Sequence, residues 1–245
     1  MTTPIRIKIC CIATPEEAQL AISAGAAALG LVSAMPSGPG PIADEQIASI
    51  ARTVPPPVAT FLLTCRQDAA DVARQVRASG CNTVQICDEL SGRAYATLRS
   101  ELPNVRLVQV IHVEGEASID EALAVARHVD ALLLDSGRPK GAIKELGGTG
   151  RVHDWSVSTI IREHSPVPLF LAGGLNAENV ADAIRTVRPF GVDVCSGVRT
   201  EGRLDPAKLS RFVRAVHNAG ATLRQIEETK IKPRISRMDT NEKTG

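Results

Sequence analysis

A chain of 245 residues with 44% hydrophobic residues is long enough to bury a sizeable core and short enough to form one domain. The 28 lysine and arginine residues nearly balance the 27 aspartate and glutamate residues, so a net charge of +1 offers no overall attraction to nucleic acid or an anionic membrane. Aromatic residues make up only 2% of the chain, which leaves too few stacking surfaces for a protein that binds single-stranded nucleic acid.

The six cysteines are scattered and lack the paired spacings of a zinc site, so we expect no metal. The N-terminal stretch MTTPIRIKICC lacks the apolar segment of a secretory signal. No run of about 18 apolar residues predicts a membrane helix. The sequence therefore favours a cytoplasmic protein with reduced thiols and with neither nucleic-acid nor membrane partners.

Short runs of aliphatic and β-branched residues alternate with segments that carry apolar residues at helical spacing. The predicted strands span residues 5–10, 28–31, 58–63, 83–86, 106–111, 131–135, 169–172 and 191–194. Strict alternation of strand and helix predicts an α/β fold with a parallel sheet. Eight such units in about 220 residues favour a closed (β/α)8 barrel over an open doubly wound sheet, and no GxGxxG motif follows the first strand.

The helix starts agree with this arrangement. Thr14 reads as a cap, followed by Pro15 and two carboxylates in the first turn. The two longest loops, residues 33–43 and 136–152, follow strand ends at what would be the catalytic face of a barrel. We assign residues 1–219 to the barrel and residues 220–245 to a polar tail, partly helical at its start and mobile at its end.

Glycine-rich stretches follow each of the last three strands: ELGGTGRVHDW, LFLAGGLNAENV and GVDVCSGVRTEG. Glycine lets backbone N–H groups approach an anion closely, and the last two stretches lead into predicted helix starts. One glycine pair alone is typical of a tight turn. Three in successive loops on one face of a barrel predict a phosphate site.

Five motifs resemble the phosphoribosylanthranilate isomerase family in both order and spacing. They are KIC at the first strand, LLLDS at the sixth, GGTGRVHDW in the next loop, LAGGLNAENV at the seventh and GVDVCSGV at the eighth. The resemblance extends from about Lys8 to Phe212. It implies the (β/α)8 fold and a phosphoribosyl ligand held by Gly147, Gly148, Gly150, Gly173, Gly174, Ser196 and Gly197.

The family reaction is a cofactor-free Amadori rearrangement, which converts an N-linked aminoaldose phosphate to a 1-amino-1-deoxyketose phosphate. It needs a general acid at the furanose ring oxygen and a general base at the C2 proton. The resemblance implies that Cys10 is the base and Asp135 is the acid. From residue type alone, Cys10 is better explained as a small buried side chain and Asp135 as a turn residue, and only the surrounding motifs favour the functional roles. A nearby positive charge such as Lys8 would favour the thiolate of Cys10.

Several positions depart from the family pattern where the aglycone would lie. Cys11 stands in place of a glycine, which predicts an unusual φ or crowding in the first turn. Gly40 replaces an arginine that lies by the anthranilate carboxylate, and Cys87 replaces a histidine. Arg199 stands where glutamate is frequent. Either Arg199 or another basic residue substitutes for the lost arginine, or the substrate does not carry anthranilate. Lys8, Gly40, Cys87 and Arg199 are therefore weaker candidates for contacts with the substrate.

The leading prediction is an aldose-ketose isomerase of tryptophan biosynthesis that acts on N-(5'-phosphoribosyl)anthranilate or a related N-linked phosphoribosyl compound. Its expected state is a monomer or homodimer that binds only a small-molecule substrate. An isomerase or lyase of another phosphosugar and a non-catalytic phosphate-binding barrel are the alternatives. Because side chains alternate along a strand, Cys10 and Cys11 are expected to face opposite sides.

Overall fold

The computed structural model of the chain describes residues 4–137, 145–146 and 150–238. Within these residues eight parallel strands close a barrel in sequence order, and the first strand pairs with the eighth. This confirms the predicted (β/α)8 fold. The strands are β1 (Arg6–Ile9), β2 (Ala28–Val32), β3 (Ala59–Thr64), β4 (Thr83–Ile86), β5 (Arg106–His112), β6 (Ala131–Asp135), β7 (Leu169–Leu171) and β8 (Gly191–Val194).

Eight α-helices in the described ranges surround the barrel. They are α1 (Pro15–Ser23), α2 (Asp44–Ala51), α3 (Ala69–Ser79), α4 (Gly92–Glu101), α5 (Ala117–Val125), α6 (Trp155–His164), α7 (Val180–Val187) and α8 (Pro206–Met238). The predicted start of α1 is confirmed, because the hydroxyl oxygen of Thr14 accepts a hydrogen bond from the N–H of Glu17 at 3.2 Å. The carboxylate of Asp68 caps α3 by accepting from the N–H of Asp71 at 2.9 Å. In this part of the chain no helix is long and apolar enough to cross a membrane.

The observed boundaries differ from the predicted ones by single residues at the strands and by more at the C-terminus. The strand β1 ends at Ile9, one residue earlier than expected, because Cys11 leaves the extended conformation with φ 63°. The helix α8 runs across the predicted boundary between residues 219 and 220. The division into barrel and tail stays a prediction, and residues 239–245, where a mobile end was expected, lie outside the described residues.

The core has two parts, as the alternation of side chains along each strand requires. Residues such as Leu62 and Leu132 pack outward against the helices. Their neighbours Phe61 and Leu133 point into the barrel, together with Phe170. The rings of Phe61 and Phe170 meet edge to face with centroids 5.9 Å apart, and this packing fills the interior so that the barrel is not a pore.

Candidate active site

A cleft opens at the C-terminal mouth of the barrel, where the strand ends and the following loops meet. Its lining contains the predicted base Cys10, which directly follows β1, and the predicted acid Asp135 at the end of β6. The structure also brings five other predicted site residues to this cleft: Cys87, Gly150, Gly173, Gly174 and Ser196. Gly147 and Gly148 lie outside the described residues.

A buried ion pair lies beneath Cys10 inside the barrel. The Nζ atom of Lys8 is 2.9 Å from Oδ1 of Asp193, its register partner on β8, and the Lys8 side chain is fully buried. Burial opposes the charge on Lys8, but Asp193 and Cys10 together raise its pKa above the ordinary value. Burial raises the pKa of Asp193, and Lys8 counteracts that effect. Lys8 is therefore a fixed ammonium group on the inner face of β1.

The ammonium of Lys8 and the thiol of Cys10 share the space beside one glycine. A Cβ atom built on Gly30 of β2 would lie 2.8 Å from Sγ of Cys10 and 3.1 Å from Nζ of Lys8. Only glycine leaves room for both groups at this level of the barrel. The predicted base and a fixed positive charge therefore lie side by side on the inner face of the barrel.

The carboxylate of Asp135 lies at the end of β6, where its Oδ1 accepts a hydrogen bond from the N–H of Ser136 at 2.7 Å. Its register partner on β5 is His112, which faces the same side. A ring nitrogen of His112, Nε2, lies 3.0 Å from the carbonyl oxygen of Cys87. Burial raises the pKa of the Cys87 thiol, so this side chain is neutral. Among the described residues, the wall from β4 to β6 therefore presents one carboxylate, that of Asp135, to the cleft.

The three glycine-rich loops contact one another through their backbones. Gly174 has φ 62°, and a Cβ atom there would come within 2.7 Å of the carbonyl carbon of Arg151 in the preceding loop. A Cβ atom on Gly197 would overlap the carbonyl oxygen of Leu175, and one on Gly150 would lie 3.9 Å from Oγ of Ser196. Glycine at these positions lets the loops after β6, β7 and β8 form one continuous backbone surface.

Both Cys10 and Cys11 line the cleft, so the expectation that they face opposite sides is wrong. The reason is the left-handed conformation of Cys11, with φ 63°, which turns its side chain back toward the mouth. The predicted unusual φ at this position is confirmed. A Cβ atom on Gly40 would lie 2.6 Å from Cβ of Cys11 and 2.9 Å from its Sγ, so the cysteine occupies space that any larger residue at position 40 would need.

The structure does not bring the guanidinium of Arg199 to the cleft. Its Nη1 donates to Oε1 of Glu17 at 3.0 Å, and its Nη2 donates to the carbonyl oxygens of Cys10 and Cys11 at 3.2 and 2.5 Å. Burial opposes both charges, yet the pair raises the pKa of Arg199 and lowers that of Glu17. Arg199 thus stabilises the turn after β1 through its backbone carbonyl groups, on the side away from the cleft. Among the described residues that line the cleft there is no lysine or arginine.

Sequence reasoning missed three polar residues at this mouth. Asp193 and Gln85 line the cleft, and the buried Oε1 of Gln85 has no hydrogen-bond partner in the described parts of the chain. His153 lies behind the loop after β7, with Nδ1 3.1 Å from where a Cβ atom on Gly173 would be. A polar residue at an inward position of an aliphatic strand was the available signal for Asp193 and Gln85. For residues 4–137, 145–146 and 150–238, no group of histidine, cysteine or acidic side chains is arranged to hold a metal ion.

The fold and the site define a class, that of (β/α)8 barrels with a thiol and a carboxylate at the mouth beside glycine-rich loops suited to an anion. Within this class, residues 7–215 match the family model "N-(5'phosphoribosyl)anthranilate (PRA) isomerase". The chain belongs to this family.

Named relatives and solved structures agree with this assignment. The chain is 36% identical over 216 residues to N-(5'-phosphoribosyl)anthranilate isomerase 2 of Methanosarcina mazei, which covers 87% of this chain and 95% of the relative. It is 29% identical to phosphoribosyl anthranilate isomerase from Thermotoga maritima, with a TM-score of 0.75 over 86% of this chain and 98% of the other. A phosphoribosyl anthranilate isomerase in complex with reduced 1-(o-carboxyphenylamino)-1-deoxyribulose 5-phosphate is 27% identical, with a TM-score of 0.73 over 86% and 98%.

Proposed function

We propose that the chain is an N-(5'-phosphoribosyl)anthranilate isomerase that uses Cys10 as general base and Asp135 as general acid. The observation that carries this proposal is the position of these two groups in one cleft, with three mutually contacting glycine-rich loops at its rim. Family membership supports the substrate, since the named relatives are isomerases of this compound.

The phosphate of the substrate would bind to the continuous backbone surface of the three loops. Gly150, Gly173, Gly174 and Gly197 allow close approach of backbone N–H groups, and the hydroxyl of Ser196 adds a donor. Because the described lining contains no lysine or arginine, we assign the binding of this dianion chiefly to these neutral donors. The same role for Gly147 and Gly148 remains a prediction.

The reaction then proceeds through proton transfers alone. Asp135, in its protonated form, gives its proton to the furanose ring oxygen, the C1–O bond breaks, and a Schiff base forms. The thiolate of Cys10 takes the proton from C2, and the electron pair moves to form an enolamine. Protonation at C1 with loss of the enol proton gives the aminodeoxyketose and returns the acid and base to their starting forms. The ammonium of Lys8 supplies the charge that favours the thiolate, and Oε1 of Gln85 offers an acceptor for a sugar hydroxyl.

A specific observation favours a second candidate, an N-linked phosphoribosyl compound whose aglycone has no carboxylate. The side chain of Cys11 occupies the space over Gly40, the position at which the family resemblance leads one to expect an arginine. Met35, Val32 and Leu63 line the cleft on the same side, which suits a flat apolar ring. An unpaired carboxylate there would lose charge-assisted hydrogen bonds of about 1.5–3 kcal/mol.

A substrate comparison tests the proposal. Purified protein is expected to abolish the fluorescence of N-(5'-phosphoribosyl)anthranilate as the ketose forms, and kcat/KM is then compared with that for the corresponding aniline adduct. A higher kcat/KM for the anthranilate adduct supports the proposal, whereas a higher value for the aniline adduct supports the second candidate. No turnover of either compound contradicts both and favours a non-catalytic phosphate-binding barrel.

We further infer that the enzyme acts in the cytoplasm, where thiols such as Cys10 stay reduced. A small-molecule substrate is its expected partner, without nucleic acid or membrane, and a monomer or homodimer is its expected state. One solved relative is described as monomers generated from the dimeric isomerase of Thermotoga maritima. Light scattering of the purified chain distinguishes the two states.

A further inference from the structure

Two cysteines that the proposed reaction does not use meet at the rim of the cleft. The Sγ atoms of Cys11 and Cys195 are 2.7 Å apart, although the residues are separated by 184 positions in sequence. Cys11 follows β1 and Cys195 follows β8, and these two strands are paired. The separation is within 1 Å of the length of a disulfide bond, about 2.05 Å.

The backbone holds Cys11 in this position despite a conformational cost. A non-glycine residue in the left-handed region costs about 1–2 kcal/mol, and Cys11 has φ 63°. Its thiol contacts the carbonyl oxygen of Pro39 at 3.5 Å, and Gly40 leaves the space that its side chain fills. The conformation of the turn therefore directs the sulfur of Cys11 toward Cys195.

The two thiols have different surroundings. Contact with Cys11 lowers the pKa of Cys195, against the effect of burial and with help from the charge of Arg199. Contacts with Cys10 and Cys195, together with burial, raise the pKa of Cys11. Cys195 is half-buried and Cys11 is buried. The pair thus combines a more exposed sulfur whose pKa is lowered with a buried partner whose pKa is raised, which is the arrangement of an attacking and a resolving cysteine.

We propose that Cys11 and Cys195 form a redox-active dithiol that a hydroperoxide converts to a disulfide. The thiolate of Cys195 attacks one oxygen of the peroxide, the O–O bond breaks, and hydroxide leaves to give a sulfenic acid. The sulfur of Cys11 then attacks the sulfur of Cys195, the S–O bond breaks, and water leaves with the proton of Cys11. The two sulfurs lose two electrons, which reduce hydrogen peroxide to two water molecules, and a dithiol reductant reverses the change.

The disulfide would alter two neighbouring parts of the site, after β1 and after β8. Cys11 follows the proposed base Cys10, and Cys195 precedes Ser196 in the phosphate-binding surface. Since a displacement of about 1 Å near reacting groups can cost 100-fold in rate, we expect oxidation to lower kcat/KM by about 10- to 100-fold. This consequence rests on the proposed function, whereas formation of the disulfide does not.

Peptide mass spectrometry of the full chain tests the proposal. Reduced protein is treated with hydrogen peroxide, remaining thiols are alkylated, and cross-linked peptides are identified without reduction. A cross-link between the peptides of Cys11 and Cys195 is expected in the wild type and in Cys65→Ser, which removes a half-buried cysteine outside the pair. It should be absent from Cys195→Ser and from Cys11→Gly, a variant that fits the left-handed backbone.

Because Cys10 and Cys11 share one peptide, the variant Cys10→Ser must still give the cross-link. Loss of the cross-link in Cys10→Ser, or sulfenic acid without a cross-link in the wild type, overturns the proposal.

The dithiol and the proposed function can fail separately. A cross-link in a protein whose reduced form does not isomerise the substrate supports the dithiol and contradicts the proposed function. Normal activity of the reduced protein with no cross-link supports the proposed function and contradicts the dithiol. A cross-linked protein with undiminished kcat/KM overturns the regulatory consequence.

Discussion

The ammonium of Lys8 lies 2.9 Å from the carboxylate of Asp193 in the interior of the barrel, and the Lys8 side chain has no exposed surface. A buried ion pair is a poor source of stability, because apolar residues of similar size often stabilise a core as well or better. The pair is better explained by what it does for its neighbour: it fixes a positive charge beside the thiol of Cys10.

Removing only one member of this pair should destabilise the protein strongly. We expect Lys8→Met to lower the free energy of unfolding by about 3–5 kcal/mol, because it leaves Asp193 buried without a partner. The double variant Lys8→Met/Asp193→Leu should recover most of that loss in urea denaturation while kcat remains low. Wild-type kcat in the double variant would show that the ammonium does not support the base.

The pair of Arg199 and Glu17 should hold the first turn in place. The two side chains are 7% and 15% exposed, so we expect Arg199→Met to cost about 3 kcal/mol of stability and to lower kcat by releasing the carbonyl groups of Cys10 and Cys11. Arg74→Met is the matched control, because Arg74 forms an exposed pair with Asp71 and should cost about 1 kcal/mol or less. Equal losses in urea denaturation for the two variants would contradict this role.

A methyl group on the phosphate-binding surface should weaken substrate binding. Gly174 and Gly25 have φ 62° and 100°, so alanine strains the backbone at both positions. Only at Gly174 would the new Cβ atom meet another chain segment, the backbone of Arg151 at 2.7 Å, whereas Gly25 has no atom within 4 Å. We therefore expect Gly174→Ala to raise KM by about tenfold or more and Gly25→Ala to leave KM unchanged. The same KM for both variants would argue against a phosphate site at these loops.

The half-buried imidazole of His153 should make the fold sensitive to acid. Burial lowers the pKa of His153, with Asp135 and Asp154 acting in the opposite direction. Below about pH 6.5, His153 is therefore protonated to a greater extent in the unfolded chain than in the folded one. The free energy of unfolding consequently falls as the pH decreases through this range. His153→Gln should lose less stability than the wild type between about pH 7 and pH 5.5, and exposed His164→Gln should behave as the wild type. If the free energy of unfolding of His153→Gln depends on pH as that of the wild type does, His153 is not the source of the acid sensitivity.

The barrel could be predicted from the sequence because its determinants are local. Apolar runs, helix caps such as Thr14 and the regular alternation of strand and helix act within a few residues of the chain. The conformation of Cys11 could be expected only from the glycine usual at that position, since cysteine itself does not favour a positive φ. Strand alternation therefore gave the wrong direction for its side chain.

The site was only partly predictable, because many of its contacts join residues that are far apart in sequence. Cys10 and Asp135 could be proposed from motifs, but the partners that position them come from distant parts of the chain. Arg199 and Glu17 are 182 residues apart, and their contact depends on the closure of the barrel between β8 and β1. Neither residue type nor spacing indicates that Arg199 turns toward Glu17 instead of the substrate.

The roles of Cys10 as base and Asp135 as acid are tested by the turnover of N-(5'-phosphoribosyl)anthranilate in the variants Cys10→Ser and Asp135→Asn. We expect kcat to fall by about 100- to 10,000-fold in each variant, because each loses its general acid or base. The value of KM should stay close to that of the wild type, since the phosphate-binding surface is untouched, and Cys65→Ser should keep full activity. A kcat equal to that of the wild type in either Cys10→Ser or Asp135→Asn would contradict the catalytic role of that residue.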